Sequence, residues 1–247
     1  LGIDSRTVQD YEFRSAKTSN RGMGTSYAKN GVDKYTMFTL ENMLFYDKTF
    51  NDKHTLGVTL LQSIQEDKKE SVNVAMENLP SDNLKYYDLG SGLVTNKIES
   101  SMVKWNMASF MGRINYNYLG RYLLTVSARY DGSSRISSDS RWGIFPSFSV
   151  GWRMTEEEWM KDLNWEWLNS MKLRGSWGIL GNQNIDLYSY YALVTTGKDY
   201  SFDNSNLGAG VAQTALTNRD LKWESTAIGD FGIDITAFNG FNITFDW

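Results

Sequence analysis

From Met107 to Trp247 the side chains fall, run after run, into two alternating sets, and one set carries no charge. Tyr122, Leu124, Val126, Ala128 and Tyr130 alternate with Thr125, Ser127, Arg129 and Asp131. The same division recurs in Ala108, Phe110, Gly112, Ile114, Tyr116 and Tyr118, and in Trp142, Ile144, Pro146, Phe148, Val150 and Trp152. It returns in Met171, Leu173, Gly175, Trp177 and Ile179, in every second residue from Trp223 to Ala237, and in Phe241, Ile243, Phe245 and Trp247. With 22% of the chain charged, roughly one in five of these positions should be charged by chance, and none is. A period of two is that of a β-strand with unlike faces. A uniformly neutral face suits hydrocarbon, where a Lys or Arg at mid-bilayer costs roughly 2–4 kcal/mol.

The pattern predicts strands at residues 35–46, 54–65, 107–118, 121–131, 142–153, 171–180, 222–238 and 241–247, with a further one near 8–14. Several have the roughly 9–11 residues that cross a bilayer as tilted β structure. From Trp142 to Trp152 the strand rises about 33 Å, or about 25 Å after tilt, the height of the apolar band of an outer-membrane barrel. Those two tryptophans are expected in opposite aromatic girdles.

Connections alternate in length. Residues 47–53, Leu119-Gly120 and Asn239-Gly240 are short, and Asn-Gly between alternating runs signals a two-residue hairpin. Residues 66–105, 132–141 and 181–221 are long. Outer-membrane barrels keep short turns in the periplasm and long loops outside, so the parity predicts exterior loops after residues 66, 132 and 181. One periplasmic connection, 155–169, carries a capping-box pattern, Thr155 with Glu158, then Trp159, Leu163 and Trp167 at spacings of four. It predicts a short amphipathic helix, packed beneath the barrel rim or else docking a partner, with Glu156, Glu157 and Glu158 in its first turn complementing the helix dipole.

Composition narrows the picture. The mean hydropathy of −0.45 resembles that of a soluble protein, and no stretch nears the 18 or so apolar residues of a membrane helix. A β-barrel escapes that test because its lumen-facing residues dilute the average. The 9 Trp and 14 Tyr fit interfacial girdles. A net charge of −4 gives no electrostatic reason to gather nucleic acid. There is no cysteine and a single histidine, His54, so thiolate metal sites, cysteine nucleophiles and histidine triads lack their parts. No enzyme and no cofactor are expected. Leu1 opens no signal peptide, and residues 241–247 read as a strand cut partway, so the expectation is a piece of a longer barrel.

Several blocks then coincide in order and spacing: Gly120-Arg121-Tyr122-Leu123-Leu124-Thr125, Arg129-Tyr130-Asp131-Gly132-Ser133-Ser134-Arg135, and Phe145-Pro146-Ser147-Phe148-Ser149-Val150-Gly151-Trp152. Leu173-Arg174-Gly175-Ser176-Trp177-Gly178, Gly181-Asn182-Gln183 and Leu221-Lys222-Trp223-Glu224-Ser225-Thr226 continue the series. Together they resemble the SusC/RagA family of TonB-linked outer-membrane transporters, with which Bacteroidetes import glycans or peptides. The resemblance implies a 22-stranded barrel, a plug, a TonB-contacting segment before the plug, and a SusD-like lipoprotein lid. Residues 1–247 would be a mid-barrel portion, with plug and C-terminal strand outside it.

The set alternating with the neutral one mixes both signs: Arg113, Arg129, Asp131, Arg153, Lys172, Arg174, Glu224, Asp230 and Asp234. These are lumen-facing candidates, expected to pair across strands and anchor a plug, or else to meet substrate. Their number favours a wide lumen over a small closed one. The last long loop offers Tyr188, Tyr190, Tyr191, Tyr200 and Phe202 among Asn182, Gln183, Asn184, Asn204 and Asn206, rings beside amides that suit sugar faces and hydroxyls. The alternative use for them is packing the loop or a lid.

Other motifs count for little. Gly208-Ala-Gly210 is a loop hinge rather than a phosphate cradle, the Asn242-Ile243-Thr244 sequon falls inside a strand, and residues 131–139 lack the order of a calcium loop. Two rivals remain: a small self-contained outer-membrane barrel serving as anchor or adhesin, and a soluble carbohydrate-binding β-sandwich whose neutral face packs into a core. The expected fold is all-β, an antiparallel transmembrane β-barrel segment with one short periplasmic helix. Expected partners are a SusD-like lipoprotein, TonB through a segment outside this chain, an oligosaccharide or peptide, and outer-membrane lipid.

Overall fold

The computed structural model describes residues 1–17, 24–201, 208–213, 216, 218 and 220–247. It is a largely antiparallel all-β fold with one short helix. The main sheet has nine strands in the hydrogen-bonding order β1-β2-β3-β4-β5-β6-β7-β10-β11. In chain order these are β1 (Gly2–Arg14), β2 (Tyr27–Phe50), β3 (His54–Glu77), β4 (Val94–Tyr118), β5 (Tyr122–Ser133), β6 (Trp142–Arg153), β7 (Leu168–Asn182), β10 (Glu224–Ala237) and β11 (Phe241–Asp246). Two short strands, β8 (Val194–Thr196) and β9 (Val211–Gln213), pair with each other. By internal contacts the chain divides into two units, Leu1–Leu40 with Gln65–Asn106, and Glu41–Ile64 with Met107–Trp247.

In the first unit β1 lies antiparallel to β2, from Gly2 opposite Thr39 to Arg14 opposite Tyr27. The sequence pattern ends β3 at residue 65 and starts β4 at 107, whereas β3 runs on to Glu77 and β4 begins at Val94, so only 78–93 connects them. Lys68, Lys69 and Glu70 interrupt the apolar alternation but not the pairing. Lys69 bridges to Asp33 at 2.9 Å, Ser71 donates to the same carboxylate, and Lys104 bridges to Glu66 at 2.8 Å. Charge satisfied across strands makes a two-sided polar ribbon as regular as an apolar one. Ala28, Ala75 and Leu79 are buried in this unit, as is Ser26, whose hydroxyl accepts the Leu79 amide at 2.8 Å.

The second unit holds the alternating strands. β4 and β5 pair from Met107 opposite Ser133 to Tyr118 opposite Tyr122, and β5 and β6 from Tyr122 opposite Trp152 to Gly132 opposite Trp142. This register lines up Ile114, Val126, Phe148 and Trp177 in one row and Tyr116, Leu124, Val150, Gly175 and Phe231 in the next. Val126, Phe148, Val150 and Ile144 are all strongly exposed. The neutral face therefore forms no core, which removes the sandwich reading. Aromatics gather at both ends of this face. Trp142 stacks on Tyr130 at 4.7 Å, and Tyr118 stacks on Tyr122, which faces Trp152. Gly132 permits the first arrangement, since a Cβ there would meet the Trp142 ring at 2.6–2.7 Å.

The β6–β7 ladder covers only Ser147–Arg153, against Lys172 to Gly178. Pro146 has no amide hydrogen to continue it. Beyond the proline the Phe145 ring lies over Gly181, where there is no room for a Cβ, and meets the Trp223 ring edge-on at 5.2 Å. Trp223 thus departs from expectation. It precedes β10, and it lies with Phe145, a residue of the opposite set, because its Nε1 donates to the Arg141 carbonyl at 2.9 Å.

Three short connections each carry two consecutive left-handed residues: Asn51-Asp52, Leu119-Gly120 and Phe238-Asn239. That is the backbone of a primed hairpin turn. In the last, the sequence signal was one residue late, for Gly240 does not have positive φ and Phe238 does. Phe238 N donates to the Trp167 carbonyl and Asn239 N to Asn169 Oδ1, both at 2.8 Å, so the start of β7 sets the turn's position.

The rim helix is shorter than expected. α1 (Glu158–Asp162) follows a single 3-10 turn, Met154–Glu156, and Glu157, not Thr155, is its N-cap residue. The Thr155 hydroxyl is engaged elsewhere, accepting the Met171 amide at 3.3 Å. Met160 is the buried residue of α1, while Trp159, Leu163 and Trp167 are exposed.

Candidate functional site

The face opposite the neutral one is built in hydroxyl rows. Across β4 to β7 the register sets Arg113 opposite Ser127, Ser127 opposite Ser147, and Ser147 opposite Gly178, with Ile228 beyond on β10. The next row is Asn115, Thr125, Ser149, Ser176 and Asp230. Ser127 and Ser147 share a hydrogen bond of 2.7 Å, and Thr125 donates to Asn115 at 2.9 Å. An open groove of about 580 Å³ runs over these rows, lined by Arg113, Ser127, Arg129, Asp131, Phe145 and Ile228 among others. The charges stand out in the sequence and Ser147, Ser149 and Ser176 do not, although the same alternation that sets Ser127 on this face places them there too.

The charged candidates separate into groups. Arg174 is held by three carboxylates: its Nε contacts Asp234 at 3.2 Å, one terminal nitrogen Asp230 at 3.3 Å, and the other Asp246. Thr244 adds a hydrogen bond to Asp234 at 3.2 Å. Asp246 was not among the sequence candidates, although it alternates with the neutral residues of its strand. Arg129 makes a two-pronged contact with Asp131, two residues along the same face, at 3.1 and 3.2 Å. Asp131 is buried where β5 enters the loop. Glu224 accepts from Asn182 at 3.0 Å across β10 and β7, so Asn182 is a strand residue engaged in the wall rather than a free loop amide.

Arg153 serves the rim, reaching Glu156 at 3.1 Å and the Gly120 carbonyl at 3.3 Å. Beside it Glu157 accepts from Tyr122, from Trp152 Nε1 at 3.0 Å and from Arg121 at 3.3 Å. These donors, Tyr122 first, hold the Glu157 carboxyl below the usual carboxylate range. Glu157 was expected to complement a helix dipole, and instead ties the short helix to two strands. Lys172 stands opposite Arg153 and Asp234 in register.

The described parts of the long loops are folded. Ile136 is fully buried, with Ser133 and Ser137, between the ends of β5 and β6. Tyr190 donates to the Ser134 carbonyl at 3.2 Å and Arg135 to the Ile185 carbonyl at 3.2 Å, which packs the start of the last loop on the preceding one. Burial, then its neighbour Tyr191, pushes the Tyr190 hydroxyl pKa up. Gln183 reaches Met107 Sδ at 3.3 Å. Tyr191 stays exposed against Tyr190, with ring centroids 4.3 Å apart, and Tyr188 tilts toward it at 6.3 Å. Tyr200 is exposed but pairs its backbone with Gly208 at 3.0 and 3.2 Å, and Lys198 with Gly210. The Gly208-Ala-Gly210 segment is therefore one side of an antiparallel ribbon that continues β8 and β9, not a hinge. Phe202, Asn204 and Asn206 lie outside the described residues.

Hydrogen bonding and charge are what this surface offers. Among the described residues no three His, Cys, Asp or Glu side chains come together as a metal site.

The family described as TonB dependent receptor-like, beta-barrel, matches residues 3–247. A TonB-dependent receptor of Formosa agariphila is 34% identical over 238 residues, which is 96% of this chain and 22% of that protein. The TonB-dependent receptor SusC of Bacteroides thetaiotaomicron is 41% identical over 136 residues, 54% of this chain and 13% of SusC. A structure of the RagAB peptide importer in its closed-closed state superposes on 99% of this chain with a TM-score of 0.86 at 23% identity, using 27% of the matched chain. The chain thus spans about a quarter or less of the length of these relatives. Family match, curated relatives and shared fold agree: the chain belongs to the SusC/RagA-type TonB-dependent outer-membrane transporters and lies within their β-barrel region.

Proposed function

We propose that residues 1–247 form a mid-barrel portion of a 22-stranded importer whose plug, TonB-contacting segment and closing C-terminal strand lie elsewhere in the full protein. The supporting observation is the family match over 3–247 in a chain whose strands from 107 to 247 present one exposed face without charge. In this reading the neutral face meets lipid, the hydroxyl rows and the Arg174 cluster line the lumen against a plug, and the long loops face the exterior. Work is done by binding and gating, with no bond chemistry. The cargo is an oligosaccharide or a peptide too large for ordinary porins, and a SusD-like lipoprotein covers the mouth.

In this reading Tyr191, exposed in the last long loop, is the ring offered to cargo, whereas the Tyr190 hydroxyl is already engaged by Ser134. Full-length transporter purified from outer membranes is expected to bring a lipoprotein with it. Uptake of labelled cargo is expected to stop when TonB is removed and to fall with Tyr191→Ala. Uptake independent of TonB would overturn the importer reading, and normal uptake by an intact Tyr191→Ala assembly would remove the loop from cargo binding.

A further inference from the structure

Strand β4 outruns its neighbour. β5 pairs with it only from Met107 to Tyr118, so the N-terminal stretch of β4 has β3 on one side and, among the described residues, no strand on the other. This open edge lies inside the sheet order, where the neighbour is β5 and β5 stops at Ser133. Every residue from Val94 to Met102 is exposed, a run of about 27 Å at roughly 3.3 Å per residue.

Backbone bonds at the two ends of β4 fix which groups the edge presents. The Leu93 amide donates to the Asn78 carbonyl and the Leu119 amide to the Lys53 carbonyl, residues that flank β3, whereas the Tyr118 carbonyl accepts from Arg121 on the β5 side. Backbone groups point alternately to the two sides of a strand. Odd-numbered residues of β4 therefore serve β3, and Val94, Asn96, Ile98, Ser100 and Met102 turn their N–H and C=O to the open side. Proline, bulges or unbalanced charge ordinarily guard such an edge. From Val94 to Met102 there is no proline and no glycine, and the two charges, Lys97 and Glu99, neutralise each other at 2.8 Å. Val94, Ile98 and Met102, spaced by four, are 48%, 70% and 56% exposed. The connection that leads into the edge adds rings: Tyr87, 74% exposed, tilts on Tyr86 at 4.5 Å, and Tyr86 stacks on Tyr11 at 4.7 Å.

We propose, on the importer reading above, that the edge of β4 from Val94 to Met102 is a docking strand, to which an extended segment of the lipoprotein lid adds by backbone hydrogen bonds, seating apolar side chains against Ile98 and Met102. Strand addition asks little of the partner's sequence and uses groups that are already aligned. An edge this long and unguarded needs a resident cover, which cargo that comes and goes does not give. A second copy fits badly. Two copies in one membrane are related by an axis along its normal, so their β4 strands run the same way and meet in register, with Lys97 beside Lys97 and Glu99 beside Glu99. The rings at the start of the edge suit a protein surface, since tyrosine is enriched where proteins meet.

Amide hydrogen exchange in the full-length transporter, purified with its lipoprotein and from cells lacking that lipoprotein, reads the edge directly. Residues 94–102 are expected to exchange more slowly when the lid is present. Ile98→Pro removes one outward amide and is tolerated at an edge, where that amide serves no ladder bond. It is expected to weaken retention of the lid about tenfold while the barrel keeps its shift on unheated gels. Ile98→Lys with Met102→Lys, which leaves the backbone intact, is expected to weaken retention too and serves if the proline variant does not assemble. Slow exchange of 94–102 in the transporter alone, the sign of cover by its own chain or by a second copy, overturns the docking, as does protection that appears only with added cargo. So does a lid held at full strength by an assembled variant. A bound lid that leaves 94–102 exchanging as fast as before overturns the docking and leaves the importer standing. A transporter that carries no lipoprotein overturns the lid and the docking together.

Discussion

Val126→Arg puts the neutral face to its sharpest test. Val126 lies four residues from Tyr122 and four from Tyr130, about 13 Å along the strand from each ring, or about 9 Å in depth at a tilt near 45°. Its register neighbours are Ile114 and Phe148, so an arginine there finds no carboxylate in its own face. A guanidinium at that depth costs roughly 2–4 kcal/mol, a roughly 30- to 900-fold loss in the ratio of folded to unfolded protein. Ser149→Arg is the matched control. Ser149 stands opposite Thr125, one residue along, and points to the face that already carries Arg113, Arg129 and Arg174, so its cost should stay below about 1 kcal/mol. Urea titration of the full-length transporter in bilayers, followed by the shift of folded barrel on unheated gels, measures both. Equal losses, or a larger one for Ser149→Arg, would refute the assignment of faces.

Gly132→Ala forces a methyl into the Trp142 ring and should cost about 1–3 kcal/mol, while Gly132→Ala with Trp142→Leu should recover most of it in the same titration. Because the Glu157 carboxyl is held below its ordinary range, its contribution is complete above that range and lost as pH falls through the lowered value. Proteolytic nicking of 154–166 should therefore rise in acid, and in Glu157→Gln it should be high at neutral pH and insensitive to acid. Arg174→Met leaves Asp230, Asp234 and Asp246 facing one another, so the barrel should be less stable at neutral pH and regain stability as the carboxylates protonate. Urea midpoints at pH 7 and pH 4 check this.

Much of the second unit was legible because a two-residue period needs no tertiary information. Strand positions, the neutral face, the short turns and the charges of the opposite face all follow from alternation. The long polar extensions of β3 and β4 were not legible, since Lys69 finds Asp33 on another strand and pairing across strands leaves no mark along one. Phe238 was missed because Asn-Gly is the better local turn and contacts from Trp167 and Asn169 override it. Trp223 kept the parity of its neighbours but left their face for a carbonyl on another loop. Tyr190 reads as a loop ring for cargo, and the alternation along one strand gives no sign that its hydroxyl donates to the Ser134 carbonyl, distant in sequence.

The incomplete lacing between β6 and β7 carries a mechanical meaning. Above Pro146 β6 meets β7 through the Phe145 ring, which lies over Gly181 and meets Trp223 edge-on, rather than through a backbone ladder. Rings slide and tilt at small cost, whereas ladder bonds break one at a time. In the importer proposed above, loops rooted on either side of this placket would have a freedom to part that the laced lower half denies them.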